Sequence, residues 1–96
     1  MRILLCTDSS PHGQAALRFG ALIARASPVP ATLLGVMEQR AERARIERAL
    51  EVGRHLLEGA PVPQIKIRQG HAADEILDEV TLGAYDLVGL GARGRR

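Results

Sequence analysis

Two short apolar runs, Ile3-Leu4-Leu5-Cys6 near the start and Leu87-Val88-Gly89-Leu90 near the end, most constrain how this chain can fold. Neither alternates with polar residues. Each therefore reads as a strand buried on both faces, the mark of an interior position in a parallel sheet. Thr32-Leu33-Leu34-Gly35-Val36-Met37 reads the same way. Gln64-Ile65-Lys66-Ile67-Arg68-Gln69 does alternate, as a strand with one wetter face would, and belongs at a sheet edge.

Helical stretches separate these runs. Ser9-Ser10-Pro11 is a helix start, because a Ser cap accepts an orphan N–H and Pro at the first position has none to lose. The helix is expected to reach about Ala26, with Ala15, Phe19, Leu22, Ile23 and Ala26 facing inward and Gln14, Arg18 and Arg25 opposite. Ser27-Pro28-Val29-Pro30 ends it. A second helix is expected from about Ala41 to Glu58, burying Ile46, Ala49, Leu50, Gly53, Leu56 and Leu57, with Gly59 as a left-handed cap. A third carries Ala73, Ile76, Leu77, Val80 and Ala84 inward and Asp74, Glu75, Asp78 and Glu79 toward water, and Gly83 closes it.

The order β-α-β-α-β-α-β with short connections predicts an α/β domain spanning residues 1–96, its parallel sheet covered by helices on both faces. With the third strand at an edge and right-handed crossovers, the simplest strand order is 3-2-1-4. The winding then reverses between strands 1 and 4, where open α/β sheets bind ligands. Cys6-Thr7-Asp8 and Gly91-Ala92-Arg93-Gly94 would wall that crevice. Glycines at 91 and 94 let backbone N–H groups approach a phosphate with no Cβ in the way. Asp8 either accepts hydrogen bonds from a ribose or base, or charges the N-terminus of the first helix.

Other chemistries find less support. The net charge is +2, and all but one of the 13 basic residues are Arg, but they are interspersed with 11 acids. With one Phe, one Tyr and no Trp there is no stacking platform, so nucleic acid is not the expected partner. His12, His55 and His71 have no metal-ligand spacing, and Ser9 and Ser10 have no evident base. The carboxylate pairs of the third helix lie on its wet side, so no catalytic constellation emerges. A single Cys6 excludes an internal disulfide, and no run is long enough to span a bilayer. Met1-Arg2 leads straight into a strand, and a cytoplasmic location is expected.

Strand 1 ends Thr7-Asp8-Ser9-Ser10, the second strand reads Leu33-Leu34-Gly35-Val36, and the close is Tyr85-Asp86-Leu87-Val88-Gly89-Leu90-Gly91-Ala92-Arg93-Gly94-Arg95. In these segments the chain resembles the universal stress protein family. The resemblance implies a Rossmann-like sheet that binds an adenine nucleotide, ATP or AMP, with Mg²⁺ as a possible companion of ATP. In that family the closing segment opens a nucleotide signature, G-2x-G-9x-G-(S/T). Carried over, Asp8 and the backbone of Val36 would hold the adenine, and Cys6 and Thr7 would border the adenosine. Gly91 would lie under the ribose and α-phosphate, and Gly94 would offer its N–H to the phosphates.

The third glycine of the signature would fall past Arg96, as would a fourth helix and a fifth strand. The expectation is thus a C-terminally truncated domain with weak ATP binding. It should self-associate through strand 4 and the uncovered sheet face. The function implied is a stress-response sensor or switch, at most a slow ATPase. The alternative is a dimerisation or interaction domain that works without nucleotide.

Overall fold

Four parallel strands form one sheet in the order β3-β2-β1-β4. In this computed structural model, residues 1–7 and 11–91 are described. The elements follow as β1 (Ile3–Thr7), α1 (Pro11–Arg25), β2 (Thr32–Met37), a 3₁₀ turn (Arg40–Glu42), α2 (Arg43–Leu56), β3 (Gln64–Gln69), α3 (Ala72–Gly83) and β4 (Leu87–Gly91). Both the α/β class and the strand order are those the apolar runs predict.

Because side chains alternate along a strand, each strand feeds two cores. Ile3, Leu5 and Leu33 meet Leu17, Ala21 and Ala24 of α1 and Ile46 and Leu50 of α2 on one face. Leu4, Cys6, Leu34 and Val36 meet Ile76 and Val80 of α3, with Tyr85 and Val88, on the other. Leu4 and Leu34 are fully buried. Burial of such a side chain stabilises the fold by about 1.5–3 kcal/mol. α2 sits close on β2 because Gly35 has no side chain, and a Cβ there would run into Ile46 and Leu50. Its C-terminal turn is closed by Gly59 in the left-handed region (φ 93°), as expected.

Two helix faces differ from the expectation. In α1 the inward residues are Leu17, Gly20, Ala21 and Ala24, whereas Phe19 and Leu22 point outward at 68% and 63% exposure. This helix is apolar around most of its girth, so a stripe can be drawn on either side. Packing distance decides between them. A Cβ on Gly20 would strike Leu5, so the face of small residues is the one that lies flat on the sheet.

In α3, Leu77 is 63% exposed while Glu79 is 1% exposed. Lys66 and Arg68 on β3 point at this helix, and apolar neighbours would leave them unpaired. A carboxylate on the inner face answers them. The left-handed residue that ends α3 is Ala84 (φ 53°), not Gly83. The second helix is preceded by the 3₁₀ turn, because Gln39 and Glu42 form a reciprocal capping box there.

Candidate functional site

At the C-terminal ends of the strands, Thr7 stands in register with Gly91 of β4 on one side and Gly35 of β2 on the other. Neighbouring strands lie about 4.8 Å apart, so these backbones form one continuous rim. β2 and β4 leave β1 on opposite sides, which makes this rim the topological switch point. Of the residues expected to meet there, Cys6, Thr7, Val36 and Gly91 do share this end of the sheet. Asp8 and Gly94 lie outside the described residues, as do Ser9, Ser10, Ala92, Arg93 and Arg95.

Cys6 is 3% exposed and packs with Leu4, Leu34 and Val36. Burial, reinforced by the nearby Glu79 carboxylate, pushes its thiol up to about 12, so it stays protonated and forms an apolar floor. Val36 sends its side chain into the same core, which leaves its backbone as what it presents at the strand end. Among the described residues no group of three His, Cys, Asp or Glu side chains could hold a metal ion.

The chain leaving β2 is braced. Glu42 Oε1 accepts the backbone N–H of Glu38 at 2.9 Å and of Gln39 at 3.5 Å. Gly70, which follows β3, donates its N–H to the Met37 carbonyl at 2.9 Å. These bonds fix the β2 side of the rim. The Gln39-x-x-Glu42 spacing was the sequence signal for the first of them.

Sequence reasoning also missed a polar cluster beneath α3. Glu79 accepts from Lys66 Nζ at 2.9 Å, from Arg68 at 3.0 Å and from the Tyr85 hydroxyl at 2.7 Å. Arg68 Nε reaches Glu75 at 2.8 Å. Burial alone would raise the Glu79 carboxyl, but the Lys66, Tyr85 and Arg68 bonds outweigh it and hold the group below the usual carboxylate range. Burial and the same carboxylate raise the Tyr85 phenol. Among the described residues no buried side-chain polar atom lacks a partner. The cluster is therefore an internal tie between β3 and α3. Its signal in the sequence was Lys66-x-Arg68 on one face of an edge strand with Glu75 and Glu79 on the next helix.

A cleft of about 270 Å³, lined by Arg54, His55, Glu58 and Val62 among others, lies at the opposite end of the sheet where β3 begins. Arg54 and His55 there already pair with Glu51 and Glu58. This cleft is remote from the switch point.

The universal stress protein family model matches residues 1–96. Among solved structures the chain is similar to a universal stress protein in complex with cAMP (TM-score 0.74, 18% identity, 92% of this chain and 69% of that one). It is also similar to a protein from Mycobacterium tuberculosis H37Rv (TM-score 0.74, 21% identity, 98% of this chain and 72% of that one). A third is a universal stress protein from Lactobacillus plantarum (TM-score 0.73, 23% identity, 100% of this chain and 79% of that one). At these identities the likeness is one of fold. No match is found among curated proteins.

Proposed function

The chain belongs to the universal stress protein family, and from that premise we propose that it binds an adenine nucleotide at the switch point and acts as a cytoplasmic stress-response sensor or switch. The observation that carries this reading is the register of Thr7 with Gly91, which brings two strand ends together where open α/β sheets hold ligands. The cAMP bound by one structural relative supports an adenine ring as the preferred group.

In this reading Asp8 and the Val36 backbone hold the adenine, over the apolar floor that Cys6 and its neighbours provide. Thr7 borders the adenosine. Gly91 lies under the ribose and α-phosphate, and Gly94 donates its N–H to the phosphates. Mg²⁺ would enter on the phosphates of ATP, since no described set of side chains could hold it. The role is binding, with hydrolysis slow at most.

In this reading the contacts reach the adenosine and, through Gly91 and Gly94, the phosphates nearest to it. Charge-assisted hydrogen bonds are worth about 1.5–3 kcal/mol each, and this reading assigns none to the outer phosphates of ATP. AMP is therefore expected to bind nearly as well as ATP. Calorimetric titration with each nucleotide tests this. Tight binding of ATP, far above AMP, would contradict it.

A second reading rests on β4, which pairs only with β1 in the described sheet. Its other edge offers N–H and C=O groups to another chain. Self-association through this edge and the sheet face beside α3 would serve a dimerisation role without nucleotide. Mass measurement by light scattering with and without ATP separates the two, since only the sensor reading couples mass or stability to nucleotide.

A further inference from the structure

The outer faces of α1 and α3 carry opposite charge beside exposed apolar side chains. On α1, Phe19 and Leu22 stand 68% and 63% exposed, with Arg18 and Arg25 exposed along one flank. Its sequence contains no acidic residue. On α3, Leu77 and Leu82 stand 63% and 78% exposed on either side of Asp74 and Asp78. The two carboxylates are 79% and 63% exposed. That helix contains no basic residue. Its other two acids, Glu75 and Glu79, bond Lys66 and Arg68 at 2.8 to 3.0 Å, whereas Asp78 and Asp74 stand farther from their intrachain partners, 3.8 Å from Arg68 and 3.7 Å from His71.

We propose that the outer face of α1 docks on the outer face of α3 of a second copy of this chain. Pairing α1 with α1 would set Arg against Arg, and pairing α3 with α3 would set Asp against Asp. Only the mixed pairing brings unlike charges together over the apolar contact. Within one copy the two helices lie on opposite faces of the sheet, so they cannot meet each other. The contact is therefore heterologous and adds copies head to tail, into a ring or an open series. It differs from pairing through the β4 edge, which joins like to like and closes at a dimer. It stands independently of the nucleotide reading.

Sedimentation velocity over a range of concentrations tests the proposal on the 96-residue chain. Two variants reverse the charge of one face each: Arg18→Glu with Arg25→Glu, and Asp74→Arg with Asp78→Arg. All four positions are exposed, and circular dichroism checks that each variant keeps the fold. The wild type is expected to form species beyond a dimer that weaken as salt screens the pairs. Each variant alone should associate at least about tenfold more weakly. An equimolar mixture of the two restores unlike charges at every contact and should recover association. A monomeric wild type would overturn the proposal. So would variants that associate like the wild type, which would locate association at the β4 edge, or a mixture that remains dissociated.

Discussion

Tyr85, in the turn before β4, donates its hydroxyl to the buried Glu79 carboxylate of α3 at 2.7 Å. The same carboxylate takes Lys66 and Arg68 from β3. One side chain thus ties the edge strand, its covering helix and the approach to the last strand. Removing one partner of such a buried set leaves the others without compensation. Glu79→Gln is expected to lower stability by about 1.5–3 kcal/mol at neutral pH, measured by urea unfolding. A variant as stable as the wild type would show that the cluster is dispensable.

The pH dependence of that loss follows from the depressed carboxyl. Its folded-state value lies below its ordinary 4.5, so the unfolded chain takes up the proton first as pH falls. The contribution of Glu79 is whole above 4.5 and is lost progressively below it. The stability gap between wild type and Glu79→Gln should therefore be constant from neutral pH down to about 5 and shrink in stronger acid. Urea melts at successive pH values would show this. A gap that widens in acid would reverse the assignment.

How far the sequence foretold these features depends on what each residue's neighbours had to supply. Leu4 and Leu34 lie in unbroken apolar runs, and a run without alternation has only interior positions to occupy. Strand order and the switch point follow from that, and with them the placement of Cys6, Thr7, Val36 and Gly91 at one end of the sheet. The face of α1 was not legible, because Phe19 and Leu22 make as good a stripe as Leu17 and Ala21. The close fit of Gly20 against Leu5 is a tertiary fact. Glu79 was read as solvated for a similar reason. Its partners Lys66 and Arg68 come from a different element, and charge patterning within one helix cannot see them.

Gly35 offers a test of the close approach of α2. A methyl group there meets Ile46 and Leu50 in a core that has no spare room. Gly35→Ala should cost about 1–3 kcal/mol through overpacking. In a domain of this size that is a fall in Tm of about 4–8 °C for each kcal/mol. A thermal melt unchanged from wild type would mean that α2 can shift away freely.

Cys6 is buried, and its thiol is pushed up to about 12. The thiolate is the reactive form, so alkylation near neutral pH should be negligible in the native protein and complete once it is unfolded. Mass spectrometry after brief iodoacetamide treatment, with and without denaturant, reads this directly. Rapid native labelling would contradict the packing described for the α3 side of the sheet.

The central claim is that an adenine nucleotide sits at the shared end of β1, β2 and β4. Backbone amide chemical-shift mapping during an AMP titration tests it most directly. The amides of Thr7, Val36 and Gly91 are expected to shift together along one binding curve, with Asp8 and Gly94 moving alongside them. The residues around Arg54 and Val62 at the opposite end of the sheet should stay fixed. Shifts confined to that far cleft, or no shifts at Thr7, Val36 and Gly91 at millimolar AMP, would contradict the account.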